Sequence, residues 1–339
     1  MLGSNQQKIL IIGAAGFIGT NLVKALSAQH TVIAGIHHQS TKKMNFQEDK
    51  LRNIAQPSSI ISGNVVDGFI SPNDIRTLDI DVVIYAAGQC DVDKATKEWK
   101  KEDWENTPTM QINAYGPKRL AEICLYLAKE KKHIKFIYLS SIYAADVQED
   151  INDYLRNSPE KHYACSKLVG EQLLENIPLL DITIIRLPRM FGPHQNTSAL
   201  ACRLREEILF GQKPVQLNDN KMMVTPVDAL NKEMYSLLEK PFEGGQYTIK
   251  TLDFESAIIT SPTEIAETFD QIIAERLSFT PLFQKTTHHN EKIFNLSEEI
   301  IENRIKYFED ATKKIQKTWR NYKYKKSNAQ STRNKIPRV

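Results

Sequence analysis

The segment Lys8-Ile9-Leu10-Ile11-Ile12-Gly13-Ala14-Ala15-Gly16-Phe17-Ile18-Gly19 constrains this chain more than any other. The unbroken apolar run from Ile9 to Ile12 reads as a strand buried on both faces, as in a parallel sheet. It runs into Gly13-x-x-Gly16-x-x-Gly19, and Leu22, Val23 and Leu26 then recur at helical spacing through Thr20–Ser27. Strand, glycine turn and helix together can lay a pyrophosphate on a helix N-terminus, where bare N–H groups and the positive dipole end face the phosphates. The competing reading is a tight turn with no ligand. A glycine triplet alone would not decide between them, but its place between strand and helix favours the dinucleotide.

Further strands of the same kind follow at 31–36, 59–62, 81–85, 134–139 and 182–187, separated by helical stretches. The pattern predicts an α/β fold with a doubly wound parallel sheet. At the end of the second strand, a site for NAD would place an acid against the ribose 2′-hydroxyl. This chain has Ile36, His37 and His38 there, with Lys42 and Lys43 close behind, which favours NADP over NAD. Paired histidines in a loop are more often solvated bystanders than ligands. The fourth strand ends in Ala86-Ala87-Gly88, small enough for a cofactor to approach the backbone. The spacing predicts one long helix from 109 to 130. The fifth strand delivers Ser140-Ser141 at its carboxyl end, where open α/β sheets bind ligands.

Tyr163-Ala164-Cys165-Ser166-Lys167 opens the next helix. A separation of four places Tyr163 and Lys167 on one helix face. A nearby ammonium is expected to lower the phenol's pKa from its usual ~10, so that it can exchange a proton with a sugar or ketone oxygen. Ser141 is positioned to hydrogen-bond the same oxygen. Tyr-x-x-x-Lys alone is a common helix-face pattern, and its weight here comes from the glycine loop and Ser-Ser strand before it. After the sixth strand and Pro188-Arg189-Met190-Phe191-Gly192-Pro193, the alternation loosens into a smaller lobe. Helices are expected there at 198–210 and 227–238, strands at 214–217 and 246–249, and a helix start at Ser261-Pro262.

Taken in order, the glycine loop, Ala86-Ala87-Gly88, Asn113, Ser141 and Tyr163-x-x-x-Lys167 resemble the extended short-chain dehydrogenase/reductases. More narrowly, they resemble the NAD(P)-dependent nucleotide-sugar epimerases, dehydratases and reductases. The resemblance covers roughly 7–275 and implies a Rossmann-type domain (1–190) with a smaller C-terminal substrate lobe (191–295). It implies a catalytic set of Ser141, Tyr163 and Lys167. The expected cofactor contacts are Gly13, Gly16, Phe17, Ile18, Gly19, His37, Asn64, Val65, Ala86, Ala87, Gly88 and Asn113, together with Tyr163 and Lys167. Arg189, Arg203 and Lys221 are the candidates for holding the nucleotide-sugar. Four departures are visible. The acid after the third strand is replaced by Asn64, and the Tyr-Gly that closes the Ser-Ser segment by Ala145-Asp146. Lys221 stands near where an Arg is often found, without its bidentate geometry. The Thr-Asp-Glu signature of 4,6-dehydratases is absent, because Ile142-Tyr143-Ala144 follows Ser141. Keto-sugar reduction or C4 epimerisation is therefore the expected outcome, with NADP preferred to NAD. Many relatives pair subunits through helices equivalent to 109–130 and 163–175, so a homodimer is a further expectation.

Charge separates the C-terminus from the rest. Residues 311–339 contain ten Lys or Arg and no acid, so residues 1–310 hold 34 of the 44 basic residues and all 41 acids, a formal −7. From Asn295, Ile300, Ile301, Ile305, Phe308, Ile315, Trp319 and Tyr322 recur at helical spacing, predicting a basic amphipathic helix and tail at 296–339. Within it, Ile315-Gln316-x-x-Trp319-Arg320-x-x-x-x-Lys325 resembles the IQ motif, which implies a calmodulin-like partner. Packing of the apolar face on the body is the simpler alternative, and nucleic acid or a membrane surface is less expected. The four cysteines are dispersed without metal-ligand spacing, so no metal is expected and the thiols suit a cytoplasmic protein. No apolar run is long enough to span a bilayer, and the first apolar run is too short for a secretion signal.

Overall fold

The computed structural model describes residues 6–37, 41–99, 102–130, 133–147, 161–195, 220–252, 257–265 and 267–268. By contacts the chain divides into Met1–Phe279 and Thr280–Val339, and all the described residues lie in the first unit. The expected helix at 198–210, the strand at 214–217 and the basic tail lie outside the described residues.

Apolar runs with no polar alternation can be buried only between two layers of helices, and the strands behave accordingly. β1 (Lys8–Ile12) pairs in parallel with β2 (Thr31–His37) on one side and β4 (Val82–Tyr85) on the other. β3 (Ser59–Gly63) lies beyond β2, while β5 (Lys135–Ser141) and β6 (Asp181–Leu187) extend the other half. With β9 (Tyr247–Thr251) beside β6, the seven-stranded order β3-β2-β1-β4-β5-β6-β9 reverses direction between β1 and β4, the switch point where doubly wound sheets bind ligands. All six strands expected in this region are present, with ends within two residues of the expected bounds.

Helices cover both faces. On one face α1 (Phe17–Leu26) packs against a C-terminal helix, α8 (Val227–Glu239). On the other lie α3 (Pro72–Leu78) and α6 (Gly116–Lys129). α2 (Thr41–Ile54) follows β2, and α4 (Val92–Glu98) occupies the polar stretch after β4. The helix expected at 109–130 is not continuous. A short α5 (Pro108–Met110) passes through a π turn, Gln111–Tyr115, into α6. Gly116 N–H donates to Gln111 O, and Pro117 has no N–H to give Asn113 O. The carbonyls of Ile112 and Asn113 instead accept from the hydroxyls of Tyr85 (2.8 Å) and Tyr138 (2.7 Å). α7 (His162–Glu175) carries Tyr163 and Lys167.

Residues after 190 build a small second sheet and also return to the first. β7 (Met190–Phe191) pairs in parallel with β8 (Met222–Pro226), and β10 (Ile258–Thr260) runs antiparallel to β8. β9 (Tyr247–Thr251) adds to the main sheet beside β6. The Ser261 helix start has its expected cap, with Glu264 N–H donating to Ser261 Oγ (3.2 Å) and Ser261 N–H to the Glu264 carboxylate (2.9 Å).

Candidate active site

The three loop glycines have different reasons for being glycine. Gly13 has φ +82°, and a Cβ there would stand 2.6 Å from Ala87 N. A Cβ on Gly19 would collide with Gly13 O. Both are explained by the close approach of β1, β4 and α1. Gly16 is different: its φ and ψ of −72° and 175° suit any residue, it is exposed, and an added Cβ would approach only Gly13 O, at 3.2 Å. The fold holds this glycine less tightly than the other two, since Gly13 O would have to give by only a few tenths of an ångström to admit a Cβ. Gly16 is also the N-cap of α1, with no capping side chain and no acid in the first turn. An open helix N-terminus, cleared of side-chain bulk and negative charge, fits the pyrophosphate of a dinucleotide. Phe17 and Ile18, half-buried, form that first turn.

The loop is fastened to β2, because Gly13 N–H and Ala14 N–H both donate to Gly35 O (2.9 and 3.0 Å). His37 is exposed at the end of β2, whereas His38 and the side chains of Lys42 and Lys43 lie outside the described residues. Lys50 was not legible as a loop residue, yet its ammonium reaches from α2 to donate to Ala15 O at 2.9 Å. Asn64 is occupied locally, accepting from Val66 N–H (3.1 Å) and donating to Asp67 (2.9 Å), while Val65 is buried.

Ala86, Ala87 and Gly88 form a strip beside the loop. A Cβ on Gly88 would lie 3.3 Å from Lys167 Nζ and 3.4 Å from Asn113 Oδ1, so these three positions converge. Asn113 is fully buried in the π turn. Its amide donates to Gln89 O (3.0 Å) and Ser166 Oγ (2.9 Å), and its oxygen accepts from Gln89 N–H (2.9 Å). Lys167, 4% exposed, donates to Leu139 O (2.9 Å) and stands 4.9 Å from the centre of the Tyr138 ring. Burial brings its pKa down to about 8, against the charges of Cys90 and Glu171, which pull it up.

Tyr163 and Ser141 are joined by a side-chain hydrogen bond. The expected lowering of the tyrosine pKa does not occur. Burial pushes it up to about 12, the Ser141 hydrogen bond opposes that, and Lys167 is not among the groups that shift it. The ammonium spends its charge on Leu139 O and the Tyr138 ring. The phenol is therefore protonated at neutral pH. His162, next in sequence, is also buried: its Nε2 pairs with Thr107 Oγ1 (2.8 Å), and burial takes its pKa down to about 4, so the ring is neutral.

Ser140 is held by Glu171, a carboxylate 1% exposed that accepts from Ser140 Oγ (2.5 Å) and from Arg186 Nε (3.0 Å) and Nη2 (2.6 Å). This buried pair binds β5, β6 and α7 together, one residue before Ser141 in β5 and one helical turn after Lys167. Its members are 15 residues apart, and no local spacing announces the pairing. On the substrate side, Arg189 is exposed between β6 and β7, and Arg203 lies outside the described residues. Lys221 forms an ion pair with Glu264, so its charge is already shared with that carboxylate. Asn21 ties the two halves of the site together, its amide donating to Phe17 O (2.8 Å) in the loop helix and to Pro193 O (2.9 Å).

A family model described as the NAD dependent epimerase/dehydratase family matches residues 9–228. The chain belongs to this family. Its relatives include a dTDP-D-glucose 4,6-dehydratase of Dictyostelium discoideum, 28% identical over 281 residues, covering 74% of this chain and 59% of that protein. A probable low-salt glycan biosynthesis reductase of Haloferax volcanii is 25% identical over 194 residues, covering 56% of each. The chain thus spans little more than half the length of these relatives. Among solved structures, UDP-glucuronic acid 4-epimerase from Bacillus cereus, in complex with UDP-glucuronic acid and NAD, has a TM-score of 0.58 at 23% identity. That match covers 78% of this chain and 82% of the epimerase, and it shows the same fold.

Proposed function

We propose that this chain is a nicotinamide-dinucleotide-dependent enzyme acting on a nucleotide-sugar, by reduction of a keto group or inversion at carbon 4. The observation that carries the reading is the Ser141–Tyr163 hydrogen bond beside the buried Lys167, at the carboxyl end of a sheet whose glycine loop is open. The dinucleotide, when bound, exchanges the hydride. Tyr163 gives a proton to the substrate oxygen or takes one from it, and Ser141 polarises that oxygen. Lys167, whose ammonium does not act on the phenol in the unliganded chain, is assigned to the nicotinamide ribose of the bound dinucleotide. A phenol held protonated at neutral pH suits the donating direction, in which a ketone oxygen becomes a hydroxyl. Because Ile142 and Tyr143 stand where 4,6-dehydratases carry acids, the dehydratase names of the relatives are not carried over to this chain. We read NADP as the preferred dinucleotide, since no carboxylate stands at Ile36 or His37. Among the described residues, Cys90, Cys124 and Cys165 are unpaired thiols, which supports placement in the cytoplasm.

The test is turnover of a panel of UDP- and dTDP-linked sugars and keto-sugars, followed by the absorbance of the reduced nicotinamide and by product analysis. Wild type is expected to turn over at least one of them, and Tyr163→Phe to lose roughly 10²-fold or more in rate, the usual scale of a positioned acid–base group. An unchanged rate in Tyr163→Phe would remove the tyrosine from the chemistry.

A second reading rests on the Ile315–Lys325 stretch: a cofactor-binding scaffold whose tail engages a calmodulin-like partner. It predicts that a 305–330 peptide binds calmodulin and that Ile315→Asp with Arg320→Ala abolishes binding. A peptide that binds neither with nor without calcium ends this reading.

A further inference from the structure

We infer that Glu171 is a positioning residue that seats Ser141 through Ser140 and holds the buried Lys167 side chain as an ammonium, a role that rests on the assignment of Ser141, Tyr163 and Lys167 to the proposed reaction. Ser140 and Arg186 are direct register partners on the parallel strands β5 and β6. Glu171 meets both from α7. Its carboxylate, 1% exposed, accepts from Ser140 Oγ (2.5 Å) and from Nε (3.0 Å) and Nη2 (2.6 Å) of Arg186. Its backbone carbonyl accepts from the Tyr247 hydroxyl on β9 (2.9 Å). The next residue of β5 is Ser141, which bonds Tyr163. Lys167 docks on the same strand, donating to Leu139 O (2.9 Å). Lys167 and Glu171 are four apart in one helix and so share a face. Two buried ionisable side chains thus rest on consecutive residues of one strand, Leu139 and Ser140.

A buried ion pair stabilises a fold no better than well-packed apolar side chains of similar volume, so stability alone is a poor reason for Glu171 and Arg186. The neighbouring lysine supplies a better one. An ammonium almost out of water is disfavoured, and a carboxylate one helical turn away favours it. The groups around Lys167 are Tyr163 and Glu171 on its own helix, Tyr138 on β5, Cys90 after β4, and Arg186 on β6, which holds Glu171. The π turn contributes Asn113, which carries no charge. Burial lowers the lysine's pKa, while Cys90 and Glu171 oppose that. Arg186 has the opposite sign to Glu171 and weakens its hold on the lysine. A charged Lys167 gives the proposed ribose contact a charge-assisted hydrogen bond that a neutral amine lacks.

The experiment uses the full-length chain with lysine Cε carrying an NMR-visible carbon isotope. The Lys167 resonance, assigned with Lys167→Met, is followed through a pH titration without ligand. Wild type is compared with Glu171→Gln, Arg186→Met and the double variant, and each is repeated with Cys90→Ser to remove the thiol that also acts on the lysine. Removing the carboxylate should lower the Lys167 midpoint by about one pH unit, both from wild type to Glu171→Gln and from Arg186→Met to the double variant. One comparison survives if either single variant fails to fold. Arg186→Met alone should raise the midpoint. With a sugar that wild type turns over, the alkaline limb of kcat should move in the same directions, whereas a purely structural loss lowers the rate and leaves the limb in place. A midpoint unmoved by removal of the carboxylate overturns the inference, as does one that Arg186→Met lowers. If wild type turns over no nucleotide-sugar, the proposed function fails, and the NMR titration still decides whether Glu171 governs Lys167.

Discussion

Lys167 carries a cost in the fold that the proposed catalytic role would explain. An ammonium 4% exposed, with one carbonyl and one ring face for company, has its pKa brought from 10.5 to about 8, a shift worth on the order of 3 kcal/mol. The sign follows directly. Below about pH 8 the lysine is charged in both the folded and unfolded chain, and the burial penalty is present in full. As pH rises from about 8 to 10.5 the folded chain releases its proton first, and stability increases. Lys167→Met, without ligand, should therefore melt at or above the wild-type temperature near neutral pH, with the difference narrowing as pH rises. Thermal unfolding across that range checks this, and a variant several degrees less stable at neutral pH would show that the ammonium holds the fold together. If Lys167 acts as the proposed cation, turnover in wild type should fall as pH passes about 8. The pair Tyr163 and Lys167 was legible because four residues make one helical turn. The direction of the tyrosine's pKa was not, because sequence spacing carries no information about burial. Glu171, Arg186 and Lys50 were hidden for a related reason: each acts across a tertiary distance, and each sits in a stretch that reads as an ordinary polar helix face or strand end.

Element by element, long buried strands were the easiest to read, since nothing else in a chain of this composition produces runs such as Ile9–Ile12. The short strands β7, β8 and β10 are not legible in the sequence, because two to five residues are too few to show a period. The break between α5 and α6 did have a signal in Gly116-Pro117, which apolar spacing overrode. Its consequence is testable. Tyr138→Phe leaves the buried Asn113 carbonyl without its hydroxyl donor, a loss of about 1–3 kcal/mol on unfolding in denaturant. Gly170 is packed against the same place, where an added Cβ would stand 2.6 Å from Asn113 O and 3.0 Å from the Tyr138 hydroxyl. If Tyr138→Phe unfolds at the wild-type midpoint, the π turn does not depend on that hydroxyl.

At the scale of the whole molecule, the main sheet is completed by a strand from beyond residue 245. Asp181 fixes the approach to it, accepting from the N–H groups of Glu243 (2.6 Å), Gly245 (2.9 Å) and Gln246 (3.1 Å) just before β9. The Asn21 amide donates from α1 to Pro193 O, and a Cβ on Gly192 would stand 3.6 Å from the Phe17 ring, so the glycine-loop helix and the segment after β7 pack together. The sequence pattern could place a glycine loop but could not separate glycines required by packing from a glycine required by a ligand. The structure grades them: a Cβ on Gly13 or Gly19 would collide with backbone, whereas one on Gly16 would stand 3.2 Å from Gly13 O, and the proposed dinucleotide site depends on that difference. The decisive measurement is dinucleotide binding by Gly16→Val, with NADPH and NADH titrated beside wild type and the melting temperature of the unliganded proteins compared. The account predicts a melting temperature within a few degrees of wild type and binding weakened beyond detection for both dinucleotides. Binding as tight as wild type in a folded Gly16→Val protein would contradict it, leaving Gly13–Gly19 as a turn and nothing more.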